Sequence, residues 1–131
     1  PGQDYENLLT NCSNHGLGTI GVRILAGGAL SGSEKRHPLG MPDVAPIGSG
    51  EDYKSDVKRA LLFNSLIENQ YAESLTELAI RYAITKDTIS TIEVGIANID
   101  ELKDATDAVN KGTLEKEALV QIKAIQNSFN S

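Results

Sequence analysis

The chain has 131 residues, 12 basic against 18 acidic, for a formal charge of −6. That is enough chain for one domain with a real core, and the acidic balance argues against a broad nucleic-acid-binding or anionic-membrane surface. No apolar run reaches the roughly 18 residues of a membrane span, and the opening Pro1-Gly-Gln-Asp-Tyr-Glu-Asn7 has neither the charged nor the apolar region of a signal peptide. Cys12 is the only cysteine. This excludes an intramolecular disulfide and a cysteine-based zinc site, and it suits a cytoplasmic protein. His15 and His37 alone do not make a metal site.

Taken in order, Tyr5, Leu8, Leu9 and Cys12 fall at helical spacing, which predicts a short helix with these residues buried and His15 at its C-terminus. Residues 19–25 then read as a strand, with Ile20, Val22, Ile24 and Leu25 apolar between glycines. Gly27, Gly28 and Gly32 follow, surrounded by the small residues Ala26, Ala29 and Ser31. Small residues let a ligand approach the backbone, and glycine can aim successive N–H groups at an anion. The same pattern suits a tight strand-to-helix turn, which is the simpler reading of these residues alone.

Residues 33–53 form a long irregular stretch in which Lys35, Arg36 and His37 sit together, either as a solvated loop or flanking an anionic ligand. A helix is predicted over 55–68 with Ser55 as cap. The capping box Ser74-x-x-Glu77 opens another, with Leu75, Leu78, Ala79, Tyr82 and Ala83 on one stripe. The β-branched crowd of Thr88, Ile89, Thr91, Ile92 and Val94 predicts a second strand over 88–94, ended by Gly95. Asn98-x-x-Glu101 starts a helix with Leu102, Ala105 and Val109 inward and Lys111-Gly112 as its stop. Thr113 is expected to cap a last helix whose buried face is Leu114, Ala118, Ile122, Ile125 and Phe129.

Strands alternating with helices predict an α/β fold with a parallel sheet, yet two strands are too few to stand alone, so the chain reads as a piece of a larger fold. Ligands sit at the carboxyl ends of parallel strands. Two turns occupy such ends. One is Arg23, Leu25, Ala26, Gly27 and Gly28. The other is Gly95, Ile96, Ala97 and Asn98 leading into a helix N-terminus, which attracts anions. Adjacent strands would join both turns in one anion site. Arg23 suits either a pyrophosphate or a carboxylate neighbour, and Glu101 suits either a ribose hydroxyl or its capping box. No G-x-S-x-G, H-E-x-x-H or P-loop pattern is present.

With these residues in view, the sequence resembles the C-terminal part of an aldo/keto reductase. Gly21-Val-Arg-Ile-Leu-Ala-Gly-Gly-Ala-Leu-Ser-Gly32 is similar to the family's seventh barrel strand and cofactor loop, and Glu77-Leu-Ala-Ile-Arg-Tyr-Ala83 to its seventh helix. Ser90 to Gly95 with Asn98-Ile-Asp-Glu-Leu102 resembles the eighth strand and the turn gripping the adenosine end of the cofactor. Ala108-Val-Asn-Lys-Gly-Thr-Leu114 resembles the route into the terminal helix.

The resemblance implies a (β/α)8 TIM barrel, of which this chain holds two parallel strands with flanking helices. It implies a nicotinamide cofactor, NADP or NAD, and hydride transfer to or from a small carbonyl or sugar substrate. It places the catalytic tetrad in the N-terminal part of the barrel, whose matching segments this chain lacks. A non-catalytic regulatory member of the family is the alternative within it. Arg23 stands where many members have serine and Ile24 where they have proline, and Asp104-Ala105 replaces a Glu-Asn pair. Gly95 and Glu101 occupy places where members preferring the phosphorylated cofactor often carry basic residues, so NAD is implied at least as readily as NADP.

A rival reading comes from another class. Leu75 to Gly95 also looks like a helix-turn-helix DNA-binding motif, with Thr88-Ile89-Ser90 in the recognition helix. Ala83 in place of the turn glycine, and Asp87 and Glu93 answered only by Lys86, speak against it. The two readings predict opposite structures for 88–94.

Overall fold

The computed structural model describes residues 5–40, 43–48 and 51–129. Among these residues, six α-helices, two short strands and one 3-10 turn follow in the order α1 (Glu6–Asn14), β1 (Ile20–Gly21), the 3-10 turn (Ala26–Ser31), α2 (Tyr53–Leu61), α3 (Asn64–Glu68), α4 (Leu75–Ile84), β2 (Thr91–Ile92), α5 (Ile99–Asn110) and α6 (Lys116–Ser128). The strands pair in parallel, Ile20 opposite Thr91 and Gly21 opposite Ile92. Hydroxyls lengthen this short ladder: Thr19 Oγ1 donates to the Thr88 carbonyl at 2.6 Å, and Ser90 Oγ accepts the Thr19 N–H at 3.0 Å. Residues 88–94 thus hold a strand and no helix, which removes the recognition helix of the DNA-binding alternative.

Both strands are shorter than predicted. The extended run from 19 stops at Arg23, whose φ is +55°, and the chain turns at once into the 3-10 segment. The predicted 55–68 helix is two, α2 and α3, broken at Leu62–Phe63. Its cap is Asp52, whose Oδ1 accepts the Ser55 N–H at 2.7 Å, so Ser55 is in the first turn. Asp56, expected merely in that turn, is buried and accepts the N–H groups of Ile47 and Gly48, while Arg59 donates to the Gly48 carbonyl at 3.0 Å. The irregular stretch before α2 is therefore tied to α2 by side chains.

The capping boxes form as read. Ser74 caps α4 and Asn98 caps α5, each accepting the N–H three residues on. In both, the glutamate reaches one residue behind the cap: Glu77 accepts the Glu73 N–H at 3.2 Å and Glu101 the Ala97 N–H at 2.7 Å. Thr113 does not cap α6. Glu115 holds that position without a side-chain bond, and the Thr113 carbonyl accepts from Arg81 Nη2 at 3.0 Å.

The core lies among α3, α4 and α6: Leu66, Ala72, Leu78, Leu114, Ala118 and Ile122, ringed by half-buried Phe63, Tyr71, Tyr82 and Ile125. Helix α4 is the central element, packing also on α5, β2 and the 3-10 turn. That explains why Ile80, off the predicted stripe, is fully buried. On α5 the buried residue is Ala108; Leu102 and Val109, expected inward, are 49 % and 44 % exposed. The small side chains of α5 are the ones that let α4 approach. The apolar stripe of α1 is not covered: Tyr5 and Leu8 are more than half exposed and Cys12 is only half-buried, because α1 holds no buried residue and is joined to α4's end by the Glu6–Lys86 ion pair. His15 ends α1 as read, its Nδ1 2.8 Å from the Asn11 carbonyl oxygen.

Arg81 and Glu77 fasten the far ends of α4's neighbours. Arg81 donates to the carbonyls of Tyr71, Gly112 and Thr113 and pairs with Glu77 at 2.9 Å; Lys111 reaches the same carboxylate at 2.8 Å. Burial alone would push the Glu77 carboxyl up. The hydrogen bonds from Lys111, Arg81 and the Glu73 N–H outweigh it and hold the carboxyl below its ordinary value.

Candidate functional site

The parallel pairing of β1 with β2 brings the turns that follow them to one end of the sheet. There they border a single open cleft of about 930 Å³, within the roughly 300–1,000 Å³ usual for small-molecule sites. Arg23, Leu25, Gly27 and Gly28 line it from the first turn, and Gly95, Ile96, Ala97 and Glu101 from the second. Ala26 and Asn98 do not line it. Ala26 lies at the start of the 3-10 turn with φ +51°, and Asn98 is engaged as the cap of α5.

Glycine is required at the first turn for two reasons. Gly27 and Gly28 have φ of +68° and +104°, values that L side chains rarely adopt, and a Cβ on Gly27 would sit 2.3 Å from Val44 Cγ1. The turn is thus packed against the loop. Two of its N–H groups close its own bends, Ala26 onto the Arg23 carbonyl at 2.8 Å and Gly28 onto the Leu25 carbonyl at 2.9 Å. The expected row of N–H groups aimed at an anion is reduced accordingly, because these two are spent on the turn's own carbonyls. The second turn differs in the same direction: the Ala97 and Glu101 N–H groups are both taken by the capping box.

Positive charge in the cleft comes from side chains. Arg23 Nη2 donates to the Ala45 carbonyl at 3.2 Å and, among the described residues, pairs with no carboxylate. Arg36 donates to the Gly27 carbonyl, and its guanidinium lies 5.1 Å from the centre of the Tyr53 ring. The Tyr53 hydroxyl donates in turn to the Ser33 carbonyl at 3.0 Å. Lys35 and His37 also border the cleft, so the Lys35–Arg36–His37 cluster faces it. Carboxylates line it as well, Asp43 from the loop after the first turn and Glu93, Glu101 and Asp104 from β2 and α5. Of these lining residues, Tyr53 escapes a reading by motif; Glu93 enters it only within the DNA-binding alternative and Asp104 only as a departure from the family's Glu-Asn pair. Asp104 also lies three residues beyond Glu101 on the same helix face.

A model of the aldo/keto reductase family matches residues 2–127. The chain belongs to the aldo/keto reductase family. A curated relative, the L-glyceraldehyde 3-phosphate reductase of Escherichia coli O157:H7, is 25 % identical over 128 residues, which cover 91 % of this chain and 36 % of that protein. The chain therefore spans about a third of this relative's length, and its helices and two parallel strands are part of an α/β aldo/keto reductase domain. Among its described residues no group of histidine, cysteine, aspartate and glutamate is placed to hold a metal ion, and no helix is long and apolar enough to cross a membrane.

Proposed function

We propose that this chain is the C-terminal portion of an NAD(P)-dependent aldo/keto reductase of the cytoplasm and holds the phosphate-bearing part of its cofactor. The observation that carries this reading is the meeting of the two turns, one after each parallel strand, in one cleft with cations on one wall. The donor set fits a dinucleotide. Arg23, Lys35 and Arg36 can neutralise a pyrophosphate. The glycine turn, free of side chains, lets its backbone come close, and Glu101 and Asp104 can accept hydrogen bonds from ribose hydroxyls. When bound, the nicotinamide would supply or take the hydride. This chain's residues would bind and orient the cofactor, while the catalytic tetrad and the substrate pocket belong to the N-terminal part of the barrel, its partner. The relative acts, by its name, on L-glyceraldehyde 3-phosphate; for this protein the coarser expectation is a small carbonyl or sugar substrate.

The test uses Gly95, where an added Cβ meets nothing within 4 Å, so a substitution changes the cleft without disturbing the fold. In the full-length protein, Gly95→Glu should weaken NADH binding, followed by fluorescence titration, about tenfold or more with an unchanged melting temperature. Unaltered affinity would remove the second turn from the site.

A further inference from the structure

The loop segment that borders the cleft is fastened at both ends. Asp43, Val44 and Ala45 line the cleft. Arg23 Nη2 donates to the Ala45 carbonyl at 3.2 Å, and Val44 fills the space beside Gly27 that a side chain there would need. Further on, helix α2 takes hold. Asp56 Oδ2 accepts the N–H groups of Ile47 at 2.8 Å and Gly48 at 3.2 Å, and Arg59 Nη1 donates to the Gly48 carbonyl at 3.0 Å. Beside Arg59 stands an aromatic ring from the end of α6. The guanidinium carbon lies 5.3 Å from the centre of the Phe129 ring, and Phe129 meets Phe63 edge-on with ring centres 6.0 Å apart. We infer that Phe129 is a positioning residue for the cleft, acting through Arg59 on the rim at 43–48; its effect on the cofactor rests on the reading above.

Asp56 and Arg59 lie three residues apart on one face of α2. One helix face therefore grips both the N–H groups and a carbonyl of the same short segment. The two grips differ in firmness. Asp56 is short and buried, so the helix fixes its place. Arg59 is long and half-buried, and holding it in one rotamer costs side-chain entropy that a single hydrogen bond offsets only in part. The Phe129 ring supplies the rest of the hold. A planar guanidinium donates in its plane while its face rests on a ring, so the Gly48 bond and the ring contact are compatible. The ring is itself fixed. Phe129 ends α6 with its N–H bonded to the Gln126 carbonyl at 3.2 Å, and Phe63, at the break between α2 and α3, backs it. The contacts thus run from α6 through α2 to a segment that touches the first turn. This rim brings the Asp43 carboxylate to the cleft as well as cover, so its loosening is read in rates and not in affinity: NADH enters and leaves faster.

The experiment combines hydrogen–deuterium exchange of the full-length protein without cofactor and stopped-flow release of NADH. Phe129→Leu keeps an apolar contact with Phe63 but removes the ring, whereas Phe129→Tyr keeps the ring. Phe129→Leu should speed both exchange at 43–48 and NADH release about two- to fivefold, the range for losing an exposed cation–ring contact. Phe129→Tyr should leave both as they were, and adding Phe129→Leu to Arg59→Ala should change nothing further at 43–48. Unchanged exchange at 43–48 in Phe129→Leu overturns the inference, as does equal loosening by Phe129→Tyr, or faster exchange there with unchanged NADH release. Faster exchange spread alike over α2, α4 and α6 marks a general loss of stability and overturns it too. Absence of NADH binding overturns the cofactor reading instead; exchange at 43–48 needs no cofactor and still decides whether Phe129 holds the rim.

Discussion

Gly27 shows how tightly single residues bound the cleft. A methyl group there would sit 2.3 Å from Val44 Cγ1 at a φ of +68°, so both packing and backbone oppose it. Gly27→Ala should cost about 2–3 kcal/mol, combining overpacking with left-handed strain, whereas Gly95→Ala, in open space, should stay within about 0.5 kcal/mol. Urea denaturation of the two variants checks the contrast, and equal losses would contradict it. At this scale the sequence was most legible where a side chain serves its own neighbours. The two capping boxes could be read because cap and glutamate stand at fixed spacing on either side of a helix start. Arg81 was not legible in that way. Its partners are the carbonyls of Tyr71, Gly112 and Thr113, which look the same in any sequence. The donors aimed at the cleft were misjudged for a related reason, since nothing in the letters Ala-Gly-Gly-Ala says whether an N–H points outward or closes a turn.

Between elements, the Glu77–Arg81–Lys111 cluster joins α4 to the end of α5 and the approach to α6. Folding lowers the proton affinity of Glu77, because the bonds from Lys111, Arg81 and the Glu73 N–H outweigh the burial that would raise it. Its contribution to stability is therefore complete above the carboxyl's ordinary value of 4.5 and is lost as the pH falls through the lower folded-state value. Urea midpoints measured from pH 6 down to pH 3 should decline in the unaltered protein. Glu77→Gln should be less stable at pH 6, by about 1–3 kcal/mol, and should decline less steeply. Parallel declines would show that Glu77 takes no part. Helix positions could be read from periodicity, and α1, α4, α5 and α6 lie within a few residues of expectation. The strands could not be read in length. β-branched composition marks 88–94, but only the pairing partner decides where a ladder runs, and here the turn at Arg23 cuts the partner short. Helix faces were misread where an element packs on more than one side, as Ile80 does on α4, or where an expected cover is missing, as on α1.

For the molecule as a whole, apolar residues of the first strand and first helix stay open. Ile20 and Val22 are 65 % and 60 % exposed, in a chain spanning about a third of its relative's length. That exposure is what two strands of a larger parallel sheet would show, since parallel sheets are covered on both faces. It agrees with the proposal that the remainder of a barrel packs there. The order of elements and the meeting of two turns at one sheet end were both legible, because a parallel βαβ connection leaves little choice of where the turns go. That Lys35 and Arg36 border the cleft was legible only as one of two alternatives, because it depends on a stretch with no regular structure from which Arg36 reaches back to the Gly27 carbonyl. The central claim is that the two turns act together on one cofactor. Hydrogen–deuterium exchange of the full-length protein with and without NADH tests it most directly. The account predicts that saturating NADH slows exchange in peptides covering 23–28 and 95–101 together; protection in neither, or in one without the other, would contradict it.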